Sequence, residues 1–148
     1  MAKRHCSAKD ELKKLLAHKT PNARIAAAEA LAKTSPADKL ECVKTLRELM
    51  QHQYRWVRFL AVRAMWRIAP ENREEIKKVI SDLLVPNNEM DATGVVRLLE
   101  EMGPAANWAV PRLTGIALSN HDCRVRRAAR EAVQNLARSS LGSTGTTQ

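Results

Sequence analysis

Three prolines, Pro36, Pro70 and Pro104, fall 34 residues apart, and the thirteen residues ending at each follow one pattern. Arg24–Pro36 (RIAAAEALAKTSP) aligns with Arg58–Pro70 (RFLAVRAMWRIAP) and with Ala92–Pro104 (ATGVVRLLEEMGP). One further step reaches Arg126–Arg138 (RRAAREAVQNLAR). The aligned columns share their chemistry: Ala27, Ala61, Val95 and Ala129; Ala30, Ala64, Leu98 and Ala132; Leu31, Met65, Leu99 and Val133. A fixed period of this length constrains the fold more than any other feature, because each repeat is one small unit that must bury its apolar face on a neighbour.

The stretches between these segments recur at the same offset. Leu12, Leu46, Ile80 and Thr114 share one column; Leu15, Leu49, Leu83 and Ala117 the next; Leu16, Met50, Leu84 and Leu118 a third, with Thr114 the one strong misfit. Apolar residues three and four apart mark amphipathic helices. The pattern predicts four helix pairs, at about residues 5–35, 39–69, 73–103 and 107–137. Ser7 with Asp10, Thr20 before Pro21, Asn88 and Asp122 are the expected helix caps. The prolines at 36, 70 and 104 should end the second helix of each pair, since proline cannot continue the hydrogen-bond ladder. One domain is expected over 1–137, followed by a small, polar, disordered tail over 138–148.

Helix pairs with small alanine columns permit close approach and stack into an α-solenoid. Length alone does not choose between tetratricopeptide and HEAT-type repeats; the residues do. Val57-Arg58-x-x-Ala61-x-x-Ala64-Met65-x-x-Ile68 resembles the second helix of a HEAT-like repeat. Asp122-x-x-Val125-Arg126-x-x-Ala129-x-x-Ala132-Val133-x-x-Leu136 resembles it more closely. The first repeat keeps Arg24 and the alanines, while the third has Asp91 and Ala92 where the pattern has Val-Arg. The resemblance implies an all-α, right-handed solenoid of four HEAT-like helix pairs, an alpha-alpha superhelix whose second helices line a concave surface. It also implies a binding scaffold, the commonest use of such arrays.

At 100° per residue, Val57, Ala61, Ala64, Met65 and Ile68 share one face of the second repeat's second helix, and Phe59, Arg63 and Trp66 lie opposite, with Arg67 beside them. The column through Arg63 reads Glu29, Arg63, Arg97, Glu131, a polar ridge suited to a peptide or protein partner. The stripe through Phe59, Val62 and Trp66 becomes Arg127, Arg130 and Gln134 in the last repeat. That stripe fits inter-repeat packing ending in a polar cap. The sharper alternative is an aromatic anchor flanked by Arg63 and Arg67, the composition of an interface hot spot. Arg126 matches Arg24 and Arg58 and reads as a repeat-structural arginine, whereas Arg124, Arg127, Arg130 and Arg138 form a basic C-terminal surface. The loop His52-Gln53-Tyr54-Arg55-Trp56 either offers aromatics for stacking or uses them to staple the helix hairpin, and Trp108 reads as packing.

Charge divides unevenly. The formal total is +9; residues 1–35, 36–70 and 105–148 carry +5, +4 and +4, and residues 71–104 carry −4. A long phosphate track prefers one sign throughout. Basic patches nonetheless keep nucleic-acid backbone binding as the alternative, through the N-terminal lysines, Arg63, Arg97 and the C-terminal arginines.

Catalysis finds little support. None of His5, His18, His52 and His121 precedes a glutamate, so the His-Glu pairs by which HEAT-like metal hydroxylases bind iron are missing. No Cys-x-x-Cys, Gly-rich phosphate loop or nucleophile elbow occurs. No cofactor and no metal are expected. Cys6, Cys42 and Cys123 are odd in number and scattered, which suits a reducing, cytoplasmic setting. No apolar run approaches the ~18–20 residues of a membrane span, and no leader pattern opens the chain. The expectation is a non-catalytic protein–protein interaction module, an adaptor, scaffold or assembly subunit. Its partner segment would dock through Phe59, Arg63, Trp66, Arg67, Arg97, Arg127 and Arg130.

Overall fold

The computed structural model describes residues 7–84 and 92–144, and these are all-α; no strand occurs among them. Eight helices follow the repeat: α1 (Ser7–Leu15), α2 (Pro21–Thr34), α3 (Lys39–Leu49), α4 (Arg55–Ile68), α5 (Arg73–Leu83), α6 (Ala92–Met102), α7 (Val110–Ser119) and α8 (Cys123–Thr144). Short 3₁₀ segments at Pro36–Asp38 and Gly103–Ala109 join two of the pairs. The second helices stop just before Pro36, Pro70 and Pro104, as the missing proline N–H requires. At the last of these, Gly103 takes φ 62°, a left-handed turn that glycine adopts without a Cβ clash.

The chain divides into two compact units, one ending at Val79 and the next beginning at Ile80, where the repeat pattern alone suggests one continuous domain. In the first unit α2 packs against α1, α3 and α4, and α3 against α4. In the second, α8 packs against α6 and α7, and the 3₁₀ segment lies against all three. The alanine columns fill the crowded positions: Ala27, Ala61 and Ala129 are buried beside Leu31, Met65 and Leu136.

Two expectations need correction. In the fourth repeat, the first-helix column through Ala117 carries over, but the column through Leu118 does not. Leu118 is 76% exposed and Thr114 faces solvent, while Leu113, Ile116, Ala117 and Asn120 form the buried stripe. α7 enters from a seven-residue 3₁₀ segment, against three residues before α3, and the longer run of tighter turns changes which side chains face inward. The second correction is at the C-terminus: α8 continues through the expected tail to Thr144. The Ser139 and Ser140 hydroxyls donate to the Asn135 and Leu136 carbonyls at 2.9 and 3.1 Å, and the Asn107 amide donates to Ser140 Oγ at 2.7 Å. Residues 145–148, like Asn88 and Asp91, lie outside the described residues.

The turns between paired helices share a device. The imidazole Nδ1 of His18 accepts the Thr20 amide at 3.0 Å, and that of His52 accepts the Tyr54 amide at 3.1 Å. Asn120, in the same column three repeats after His18, accepts the Asp122 amide through Oδ1 at 2.9 Å. In each case the donor is the residue just before the second helix. The bond fixes the chain's entry, and at Thr20 and Tyr54 it stands in for a side-chain cap, which neither makes. Asp122 caps α8 in the ordinary way, Oδ1 accepting the Arg124 amide at 2.8 Å. An asparagine and an Nε2-protonated histidine offer the same acceptor here. His52→Asn should therefore leave stability within about 0.5 kcal/mol of wild type. Asn120→Ala, at a buried position, should cost about 1–3 kcal/mol. Urea unfolding of the two variants checks both values.

α1 is held by charge as well as by Leu16. Lys9 and Lys13, one turn apart, reach the two Asp38 carboxylate oxygens at 3.1 and 3.2 Å, and Ser35 Oγ donates to Oδ2 at 2.6 Å. The Ser35 hydroxyl first, then Lys9 and Lys13, hold the carboxyl at about 2, below its ordinary 3.8. A lowered carboxyl stabilises the fold above its unfolded value and loses that contribution as pH falls through the folded one. Amide protection in α1, corrected for intrinsic exchange, should hold at pH 5 and decline between about 4 and 2. Asp38→Asn should flatten that decline.

Candidate partner-binding surface

The face of α4 opposite its core carries aromatics and arginines together. Val57, Ala61, Val62, Ala64 and Met65 are buried. Phe59, Arg63 and Trp66 are half-buried and Arg67 is exposed. The Arg63 guanidinium lies over the Phe59 ring at 5.6 Å, a cation–π contact that orients it. Its Nε is buried without an acceptor, and the guanidinium has no hydrogen-bond partner among the described residues. Arg67, one turn beyond Arg63, approaches the ridge residue Glu29 of α2 at 3.9 Å.

Trp56 extends this face. It precedes Arg63 by seven residues, which places it within about 20° of Arg63 around the helix. It is 44% exposed, and its neighbour Tyr54 is 54% exposed, with its ring 5.4 Å from that of His52. Both rings are thus partly open to solvent. Trp56 is the member of this surface that the repeat pattern did not select, because only the backbone shows that it belongs to α4 and not to the loop. Its seven-residue offset from Arg63 was the available signal.

The arginines of the Val-Arg column have a structural task in two repeats. Arg24 Nε donates to the Leu16 carbonyl at 2.8 Å, and its Nη2 reaches Glu48 at 3.1 Å. Arg126 Nη1 donates to the Asn120 and His121 carbonyls at 2.6 and 3.1 Å. Both latch the second helix to carbonyls just beyond the end of the first, groups that the helix itself leaves unpaired. Arg58, in the same column, has a buried Nε with no acceptor.

The remaining site candidates lie in the second unit. Arg97 is exposed on α6, and Arg127 and Arg130 are exposed on α8. Arg63 and Arg97 thus belong to different units, and the polar ridge is described only within each. Arg124 is occupied by Asp122, whose carboxyl the Arg124 side chain first, and its backbone amide next, hold below the usual range. Of the N-terminal cations, Lys9 and Lys13 bind Asp38, Lys14 and Lys19 are exposed, and Lys3 and Arg4 lie outside the described residues. No cluster of three metal-ligating side chains occurs among the described residues, and burial raises the Cys42 thiol, which keeps it protonated and inert. No helix among the described residues is long and apolar enough to cross a membrane. Compared with protein-family models, curated proteins and solved structures, the chain matches none.

Proposed function

We propose that this chain is a non-catalytic protein-binding module, an adaptor, scaffold or assembly subunit, in which four HEAT-like helix pairs stack as a right-handed solenoid. The recurring helix pairs, the buried alanine columns and the Arg24 and Arg126 latches support the repeat reading. So does the outer stripe, half-buried at Phe59 and Trp66 and exposed at Arg127, Arg130 and Gln134, as a terminal capping repeat requires.

One observation carries the binding reading: an exposed tryptophan in line with an arginine that has no hydrogen-bond partner among the described residues. Trp and Arg dominate interface hot spots, because each combines large contact area with a directed polar group. A partner segment would lay an apolar side chain on Trp56 and bring a carboxylate or backbone carbonyl to the Arg63 Nη groups, with Arg67 beside them. Phe59 already holds the guanidinium in place, so little ordering entropy is lost on docking.

The test is capture from native extract at low and high salt with wild type, Trp56→Ala, Arg63→Glu and Arg97→Glu. A defined protein retained by wild type at high salt, and lost with Trp56→Ala and Arg63→Glu, is the expected result. Arg97→Glu, in the second unit, reports whether that residue contributes to capture. If the same protein is retained by all four, this surface is not where it binds.

A further inference from the structure

We propose that the exposed face of α8 binds the phosphate backbone of a nucleic acid, independently of the α4 surface. Val125, Ala129, Ala132 and Leu136 bury one side of this helix. Arg127, Arg130 and Arg138 occupy the opposite side, all three exposed. None has an ion pair or hydrogen bond among the described residues. They fall within an arc of about 80° and span about 16 Å along the axis.

Neighbouring arginines are otherwise engaged, Arg124 with Asp122 and Arg126 with the carbonyls that end α7. The three on the open face are therefore the cations left over. Glu131 is the helix's acidic residue, and it makes no ion pair with them. Helix stability does not account for their placement. Beyond the cap Asp122, which Arg124 already neutralises, the first turn of α8 holds no acidic residue, and Arg126, Arg127 and Arg130 add three more cations within its first two turns. The helix dipole favours anions there and disfavours cations. An anion docked along this end relieves both the mutual repulsion of the arginines and the opposed dipole.

Two features favour nucleic acid over an acidic protein. The row between Arg127 and Arg138 contains Glu131 and Gln134 and no aromatic or large aliphatic side chain, and the single leucine on this face, the exposed Leu141 one turn beyond Arg138, is a lone group and not the aromatic cluster protein interfaces depend on. Binding here must come from charge, and an unbroken line of phosphates is the ligand that charge alone retains. Each guanidinium matches a phosphate with two parallel hydrogen bonds, and phosphates advance about 3.4 Å per nucleotide along one strand, so the row spans about five of them. The overall charge of +9 adds long-range attraction.

The experiment is fluorescence anisotropy of a labelled 20-base-pair duplex of mixed sequence, titrated with the whole chain between 50 and 200 mM salt. Three proteins are compared: wild type, Arg127→Gln/Arg130→Gln/Arg138→Gln, and a control with the same charge loss at exposed lysines elsewhere, Lys14→Gln/Lys44→Gln/Lys78→Gln. Circular dichroism checks that each triple variant is folded, and these surface positions leave the core intact. Wild type should bind, and the arginine variant should lose at least about tenfold in affinity at 50 mM and shed about 2.7 from the log–log salt slope. The lysine control should change much less. Absence of binding at 50 mM overturns the proposal, and so does an equal loss in both triple variants, which would make the attraction diffuse. Displacement of the duplex by an equal charge concentration of polyglutamate would assign the row to an acidic protein instead.

Discussion

Leu31→Ala is expected to lower the unfolding free energy of the chain by about 2–5 kcal/mol, with the upper half of that range favoured. Leu31 is fully buried in α2, and α2 touches α1, α3 and α4. The cost of such a truncation depends on how far the surroundings can collapse into the space left behind. Here they cannot move far. Ala27 and Ala28 bring the backbones close already, and an alanine has no side chain to swing into a void. Leu99, in the same repeat column and equally buried, should respond alike, whereas Val133, half-buried in the last repeat, should lose less. Leu40→Ala and Leu118→Ala remove leucines that are 83% and 76% exposed and should fall within about 0.5 kcal/mol of wild type. Urea unfolding followed by circular dichroism separates the two groups, with an unchanged m-value showing that the same surface is exposed in each.

That contrast also marks how far the fold was legible in the amino-acid sequence. Proline and the alanine columns act locally, so the eight helices and the ends of α2, α4 and α6 follow from them. Leu118 was misjudged because column membership assumes that every repeat enters its first helix in the same way. The seven-residue 3₁₀ segment before α7, longer than the three residues before α3, breaks that assumption, and nothing in the one-dimensional period reports it. The end of α8 was misjudged for another reason. Serines and a glycine argue against a helix by propensity, but the Ser139 and Ser140 hydroxyls bond back to the helix and Asn107 holds Ser140 from the 3₁₀ segment. A contact 33 residues away is invisible to a local reading.

The candidate site was legible in part. Arg63 and Phe59 lie four residues apart on one helix face, and the periodicity paired them before the cation–π contact was known. The turn histidines were not legible. An imidazole suggests a ligand or a catalyst first, whereas the shared column of His18, His52 and Asn120 in the 34-residue repeat is the clue to a backbone acceptor. Trp56 was missed because a tryptophan beside a turn is as often a hairpin brace as a surface group, and only its exposure separates the two.

Exposure makes Trp56 the sharpest probe of the binding proposal. Trp56→Ala should weaken capture of a protein partner by at least about 2 kcal/mol, some 30-fold in Kd, while the thermal midpoint of the free chain barely moves. A side chain 44% exposed at the start of a helix contributes little to the core, so its removal leaves the fold intact. Phe59→Ala and Trp66→Ala make the informative comparison. Both rings are half-buried, and Phe59 also supports the Arg63 guanidinium. Their removal should lower stability and affinity together. With Phe59→Ala, the affinity loss should be non-additive with Arg63→Ala, because both changes remove one oriented guanidinium. If Trp56→Ala instead lowers the thermal midpoint and leaves affinity unchanged, the ring is a brace after all and α4 is not the docking surface. Each reading predicts a loss in one measurement and no change in the other, so a single purified variant decides between them.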